Sequence, residues 1–289
     1  LTASLAPDAQ AAVQYVQIPA TQVWNTITQV GPVPVLPFEL PPQAAIADTT
    51  AGITTIPGLP SPATGSLTVS PTVEKRTMPS GGWSASWANN YVGPVFWTGV
   101  GQLSNTLSLP PRTTAFHVFA TPDTYGTFNV TATTDSGSSS GPVAVTNTSN
   151  GPVPGIGFYT IAAGEAIQTI ELSFASGSSG FAFALFGIAQ APDAPALSSA
   201  TPAPGTAQLV FTAPSDTGTH AITAYAGTCT PQGGGTAITA TGTGSTLTVS
   251  GLANGMAYDC SVAATSDAGT GPASAALPAA TPVIAPTAP

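Results

Sequence analysis

The chain has 289 residues, of which three are basic and twelve acidic, giving a formal net charge of −9. Charged residues make up 5% of the sequence, against roughly 25% in an average soluble domain. Three cations cannot make the ~6–10 phosphate contacts that hold a typical protein on nucleic acid, so a nucleic-acid partner is excluded. No apolar run reaches the ~18 residues of a membrane-spanning helix, so no membrane span is expected. Long helical bundles are excluded too, because Glu, Lys and Arg are nearly missing.

The start of the chain and its low content of charged residues indicate where the protein is located. The sequence begins at Leu1 without a basic leader region, which is typical of a mature secreted protein whose signal peptide has been removed. We therefore expect a secreted, extracellular location. Charged residues normally keep sheet edges from pairing with other molecules, and this chain has few of them. Such a protein either covers its edges or uses them to assemble.

Residues 1–64 are rich in proline and contain only short apolar pieces, so we expect an extended arm with too few strands to fold alone. Within it, Val13–Ile18 and Val23–Val30 are the candidates for a strand that is added to the sheet of another copy. The candidate interface residues in these two pieces are Val13, Tyr15, Val16, Ile18, Val23, Trp24 and Ile27.

Residues 65–190 hold most of the aromatic side chains and a series of short strand-like runs. Gly, Pro, Asp, Asn or Ser bound each run, and the alternation of large and small residues is clearest from Phe181 to Phe186. Short strands at this spacing predict a β-sandwich or jelly roll. The runs are Ser66–Ser70, Tyr91–Thr98, Thr106–Leu109, Ala115–Ala120, Thr127–Thr133, Val143–Asn147, Gly157–Ile161, Ile167–Phe174 and Phe181–Ile188.

This second region resembles a β-sandwich module of secreted bacterial proteins. The resemblance covers about 90 residues and implies a secreted sandwich without an assigned activity. It rests on Asn105–Pro110, Ala115 with Phe116, a Pro-x-x-x-Gly-x-Phe pattern from Pro122 to Phe128, Gly157–Tyr159 and Phe186–Ala189.

Residues 191–280 resemble a bacterial fibronectin type III domain along nearly their whole length. The one departure is Phe211, which stands where the family usually has Trp and is expected to change core packing without changing the topology. The matching pieces are Ala191–Pro195, the strand Ala207–Ala213, Pro214–Gly218, Ile222 with Tyr225, Leu247 with Val249 and Leu252, Tyr258, and Ala263–Ser274. Residues 281–289 form a Pro/Ala tail. The fold class is thus all-β: two tandem β-sandwiches behind an extended arm.

The fibronectin resemblance implies two details of this domain. Tyr258 occupies the place of a tyrosine-corner hydroxyl that bonds upstream backbone. Cys229 and Cys260 fall on strands that are neighbours in such a sandwich, so the resemblance favours a disulfide between them over two buried thiols. An oxidising compartment favours it as well.

Residues that could carry chemistry are few, and we expect no enzyme and no cofactor. His117 alternates with Phe116 and Val118, so the sequence predicts that it lies on the outer face of a strand; His220 lies in a loop. Gly137–Gly141 satisfies the Gly-x-Ser-x-Gly pattern, but it lies between two predicted strands and lacks the helix that a nucleophile elbow needs.

The acidic residues are scattered, which argues against both a glycosidase and a metal site. We expect Glu165 and Glu171 to be surface residues rather than a catalytic pair. A calcium loop near Asp123 or Asp135 is a minor alternative. Lys75, the only lysine, is expected in an exposed charged turn, which disfavours an isopeptide bond.

An aromatic segment offers one possible ligand site. Trp83, Trp87, Tyr91 and Trp97 accompany two asparagines, and aromatic faces with amides bind sugar rings. The same side chains also suit a core or a subunit interface, which is the favoured interpretation.

The sequence thus favours a secreted, non-enzymatic structural subunit of an extracellular filament or surface layer, whose partner is another copy of itself. It would polymerise through its arm by β-strand addition. Two alternatives stay open: an adhesion or carbohydrate-binding protein that recognises a surface polysaccharide, and a virion fibre or decoration protein.

Overall fold

The computed structural model describes residues 13–38, 50–77, 91, 93–122, 126–148, 153–160, 162–174, 179–280 and 282. The chain forms two compact units, residues 1–189 and 190–289. Both are built of strands, and the prediction of an all-β, sandwich-type chain is confirmed. Among the described residues the helical structure is one 3-10 turn, Trp24–Thr26, and none of the described helices is long and apolar enough to cross a membrane.

The described residues of the first unit form fourteen strands. They are β1 Val13–Ile18, β2 Gln29–Val30, β3 Val33–Pro34, β4 Leu36–Phe38, β5 Ile53–Ile56, β6 Leu67–Thr77, β7 Pro94–Trp97, β8 Ser104–Ser108, β9 Thr113–Pro122, β10 Gly126–Thr134, β11 Val143–Asn147, β12 Gly155–Thr160, β13 Ile167–Phe174 and β14 Phe181–Gln190.

Apart from the β2–β3 hairpin, the described strands of this unit form two sheets that share β6. The front sheet has the order β1-β12-β9-β14-β7-β6, and the back sheet continues as β6-β8-β13-β10-β11. The last part of β6, Glu74–Thr77, pairs with β7, whereas Thr68–Ser70 pairs with β8. A strand that passes from one sheet to the other closes the sandwich along that side. β4 pairs with β14, and β5 pairs with β6.

The core between the sheets is aromatic, as the alternating sequence predicts. Phe174 stacks between Phe128 and Phe181, with ring centroids 4.5 and 4.1 Å away. Phe183 and Phe186 continue the same row of buried rings. Every residue of β9 and β14 is buried, on both faces of the front sheet. The outer face of this sheet is therefore covered as well.

One sequence prediction is wrong in this unit, and a second is right about the face of a strand but did not predict that this face is covered. Lys75 does not lie in an exposed turn, because it is part of β6 and its side chain is 8% exposed. His117 does not lie on a solvent-facing surface. It is on the outer face of the front sheet, but that face is covered and the side chain is 0% exposed.

The second unit contains eight strands in two sheets. The orders are β15-β16-β19 and β18-β17-β20-β21, with β22 paired to β20. The strands are β15 Ala196–Ala203, β16 Thr206–Thr212, β17 Ile222–Pro231, β18 Ile238–Gly242, β19 Thr246–Ser250, β20 Tyr258–Ser266, β21 Gly269–Thr270 and β22 Leu277–Ala280.

The predicted features of the second unit are present in its core. The Tyr258 hydroxyl accepts a hydrogen bond from the Ala253 amide at 2.9 Å, which confirms the tyrosine corner. Phe211 packs against Tyr225 with ring centroids 4.8 Å apart. Cys229 and Cys260 stand opposite each other on β17 and β20 and form a disulfide with an S–S distance of 2.07 Å. Of the 281–289 tail only residue 282 is described.

Candidate assembly site: the first strand and the cover of the front sheet

Strand β1 forms one edge of the front sheet and pairs there with β12 of the same chain. The pairing is antiparallel and runs from Val13 opposite Thr160 to Ile18 opposite Gly155. Val13 and Ile18 are buried, whereas Tyr15 is 51% and Val16 37% exposed. The strand is therefore anchored at its two ends, and its middle is open to solvent along the sheet edge.

The edge formed by β1 lacks the features that usually prevent edge-to-edge pairing. Its sequence, VQYVQI, has no charged residue and no proline, and its register with β12 has no bulge. The opposite end of the sheet path, β11, is VAVTN and is equally uncharged. Gln17 Nε2 on β1 donates to the carbonyl of Ala144 on β11 at 3.0 Å. The two edges therefore lie close together. Unprotected edges of this kind are templates for pairing with another chain.

Residues 19–35, which we call the cover segment, follow β1 and lie on the outer face of the front sheet. The next strand, β4, pairs with β14 within the sheet, and Phe38 packs in the core between the sheets. Strands β2 and β3 form a short hairpin that contacts β9, and β2 also contacts β12. The Val35 amide donates to the Thr28 carbonyl at 2.9 Å and extends this hairpin. Ile27 is buried in a second apolar cluster with Phe119 and Leu185 of the sheet.

The remaining arm residues predicted from the sequence are divided between this cluster and the surface. Trp24 packs at the edge of the second cluster, with its ring in edge-to-face contact with Tyr91 at 6.3 Å. Val23 is 45% exposed. The described part of residues 1–64 therefore packs against the sandwich of its own chain, through β1, the cover segment and β5.

Gly157 lets the cover segment approach the sheet closely, and two further glycines make room for side chains of the sheet itself. A β-carbon on Gly157 would overlap the side chain of Val30, and one on Gly155 would overlap the ring of Phe119. On the other side of β9, a β-carbon on Gly187 would overlap the imidazole of His117. Glycine inside a strand marks a place where another group comes near the backbone.

His117 lies at the centre of this covered face. It pairs with Gly157 across β9 and β12, and neither ring nitrogen has a hydrogen-bond partner of normal geometry. Burial lowers the pKa of His117 to about 3, and the Leu185 backbone offsets this only in part. The imidazole is therefore neutral near pH 7, and a proton on it would be a buried charge without a counter-ion among the described residues.

The residues predicted as a glycan platform do not form an open aromatic surface in the part that is described. Trp83 and Trp87 lie outside the described residues. Tyr91 is buried, and its hydroxyl donates to the Pro94 carbonyl at 3.2 Å. Trp97 is covered by the guanidinium of Arg76, 3.6 Å from the ring centroid.

The polar loop between β10 and β11 forms part of a shallow cleft with acidic and hydroxyl side chains. Asp135, Ser136 and Glu165 line a shallow cleft of about 520 Å³. Hydrogen bonds from Ser136 and Thr134, the latter at 2.5 Å, lower the pKa of the Glu165 carboxyl. No histidine lines this cleft, and the described residues contain no group of three potential metal ligands. Asp123 lies outside them.

The sequence contains one signal of the covered face that buries His117. Gly155 and Gly157 occupy alternate positions of a strand, so they leave one face of that strand without side chains. Such a gap indicates that something else packs there. The sequence analysis used this stretch only for a family resemblance and treated residues 1–64 as separate from the sandwich.

No protein-family model matches the chain, and a comparison with curated proteins finds no match. Among solved structures, the chain is similar to a fourth FNIII domain from human at 20% identity, covering 35% of this chain and 87% of that one, with a TM-score of 0.30. It is similar to the FN5 domain of Drosophila Lar at 24% identity, covering 32% and 97%, with a TM-score of 0.28. The fn3 domain of the human collagen alpha-1(XX) chain gives 24% identity, 35% and 92% coverage, and a TM-score of 0.24. The second unit is an FnIII-like sandwich by its own strand pairing, and the low TM-scores add nothing to that.

Proposed function

We propose that the protein is a secreted, non-enzymatic structural subunit that assembles with copies of itself by exchanging β1. In the assembly, β1 of one copy pairs with β12 of the next and leaves its own β12 for another donor. The exchange runs in one direction from copy to copy, so it produces an open polymer when the rotation between copies does not close a ring. The second unit, a fibronectin type III-like domain of bacterial type, braces or projects from the polymer.

The observation that carries this proposal is the position of β1. It is a six-residue edge strand that contributes two buried side chains and pairs with one neighbour. A strand from a second copy reproduces all six cross-strand pairs, so exchange loses no contact of β1 itself. Exchange of an identical element is a low-cost route to association for this reason.

Composition and chemistry support a structural role outside the cell. The edge strands β1 and β11 carry no charged residue that would oppose pairing. The disulfide suits an oxidising compartment. The cleft beside Glu165 combines serines, an aspartate and a glutamate without a histidine or lysine to activate a nucleophile.

Cysteine trapping distinguishes pairing within a chain from exchange between chains. Gln14 and Tyr159 stand opposite each other on β1 and β12. In the double variant Gln14→Cys/Tyr159→Cys, mild oxidation of concentrated protein should give a ladder of linked chains on a non-reducing gel, and filaments should be visible by negative-stain electron microscopy. A matched control is Thr127→Cys/Thr146→Cys on the β10–β11 pair, where the native hydroxyls are 2.9 Å apart. It should give monomers on the same gel.

Deletion of residues 1–18 provides the second test. It removes β1 and leaves the cover segment in place, so the truncated protein should remain monomeric by size-exclusion chromatography with light scattering. Polymers that survive this deletion contradict the exchange mechanism. If the Gln14→Cys/Tyr159→Cys variant forms only disulfides within one chain at every protein concentration, assembly through β1 is contradicted.

A further inference from the structure

We propose that acid releases the N-terminal segment, residues 13–38, from the front sheet, and that protonation of His117 beneath it drives the release. This makes the protein a pH-gated assembler whose donor strand is freed on acidification. The release itself depends only on the packing of one chain, whereas its use for exchange rests on the function proposed above.

The geometry places the histidine under the segment. The hairpin of β2 and β3 lies against β9, the strand that carries His117. Val30 of the hairpin packs onto Gly157, which is the cross-strand partner of His117. The imidazole itself lies over Gly187 of β14. The ring is fully buried, so water can reach it only when this packing opens.

No charged side chain on the surrounding strands compensates a positive charge on the ring. The elements packed around His117 are β9, β12 and β14 of the sheet and β2, β3 and β4 of the N-terminal segment. Within these ranges the only other titratable side chain is Tyr159, and there is no Asp, Glu, Lys or Arg. Neither imidazole nitrogen has a hydrogen-bond partner of normal geometry, and the weaker contact with the Leu185 backbone offsets the effect of burial only in part. A protonated ring therefore gains solvation only by opening its cover.

Linkage gives the size and direction of the effect. In the closed state the pKa of His117 is about 3, and in an opened state it returns to about 6.5. The open state thus binds the proton more tightly, so acid favours opening. Between pH 7.5 and pH 4.5 the open fraction should rise about 100-fold, with a slope of one proton.

Hydrogen exchange followed by mass spectrometry measures this opening directly. After correction for the intrinsic pH dependence of exchange, protection of residues 13–18 and 27–36 should fall about 100-fold from pH 7.5 to pH 4.5. Amides of β17 in the second unit serve as the internal reference. His117→Leu should keep the protection at both pH values. His220→Leu, which removes the other histidine from a loop of the second unit, should behave like the unchanged protein.

Three results overturn the proposal. They are unchanged protection of residues 13–36 in the parent protein at pH 4.5, equal loss in His117→Leu, and a slope well above one proton, which would indicate general acid unfolding. If His117→Leu does not fold, the slope in the parent protein decides alone.

A second variant separates the cover from the histidine. Gly157→Ala crowds Val30, so it should expose residues 13–36 already at pH 7.5, with a smaller further change on acidification. Protection at pH 7.5 equal to that of the parent would contradict the packing on which release depends. If acid releases the segment but no polymers form, the proposed function is refuted and the acid release is retained. If polymers form equally at both pH values and the segment is not released, the acid release is refuted and the proposed function is retained.

Discussion

The imidazole of His117 lies directly on the backbone of Gly187, so close that a β-carbon at residue 187 would overlap the ring. The two residues belong to β9 and β14, adjacent strands that are buried along their whole length. Glycine is therefore needed at this position for space. Its φ is not in the left-handed region, so no special backbone conformation requires it.

Gly187→Ala should destabilise the first unit by about 1–3 kcal/mol, because an added methyl group in a packed core forces its neighbours out of position. In a His117→Ala background the same change should cost much less, since the ring that it would strike is gone. Urea unfolding followed by tryptophan fluorescence measures both, because all four tryptophans precede residue 98. Equal costs in the two backgrounds would contradict the contact.

Acid should destabilise the first unit through the same histidine. The folded-state pKa of His117 is lowered to about 3, whereas the unfolded value is about 6.5. The unfolded chain therefore binds a proton that the folded chain does not, and stability falls as pH decreases from about 6.5 to about 3. The slope is about 1.4 kcal/mol per pH unit and the total about 5 kcal/mol.

The free energy of unfolding from urea titrations at pH 7 and pH 4.5 tests this acid sensitivity. His117→Leu should lose most of the pH dependence, and His220→Leu should retain it. A parent protein whose stability is the same at both pH values would show that the histidine is not held neutral by burial.

The sequence analysis predicted the strands of the sandwiches well because alternation and turn residues are local signals. β13 was predicted at its observed bounds, Ile167–Phe174, and Phe181 and Phe183 point inward as their pattern implied. The alternation then breaks at Leu185, whose φ of 59° turns two successive side chains, Ala184 and Leu185, to the outer face. No residue type in that stretch predicts this break in the alternation.

The misplaced residues share one physical cause. His117 is on the predicted face of its strand, but a segment about ninety residues earlier in the chain covers that face. Lys75 sits among charged neighbours in sequence, yet its strand is paired on both sides. Period-two patterns tell which side chains share a face, and they do not tell what lies against it. That information requires the long-range packing of the arm.

Removing the disulfide should weaken the second unit and leave the first unchanged. Cys229 and Cys260 close a loop of 31 residues, which is worth about 3–4 kcal/mol in the chain-entropy model. Cys229→Ala/Cys260→Ala should therefore lower the thermal transition of residues 190–289 in calorimetry. The tryptophan-detected unfolding of the first unit serves as the internal control. A shift of both transitions by the same amount would mean that the units do not unfold independently.

Glu165 should stabilise the first unit only while its carboxylate is charged. Its pKa is lowered by hydrogen bonds from Ser136 and Thr134, so the stabilisation is present above the unfolded pKa of about 4.3 and disappears as pH falls through the lower folded value. Glu165→Gln should cost less than about 1 kcal/mol at pH 7, because the side chain is largely solvated, and should cost less at pH 2.5 than at pH 7. Urea titrations at the two pH values measure the difference. Glu171→Gln, on the exposed face of β13, removes the same charge without these hydrogen bonds and controls for net charge. A loss in Glu165→Gln that is equal at both pH values would show that the carboxylate acts by shape rather than by charge.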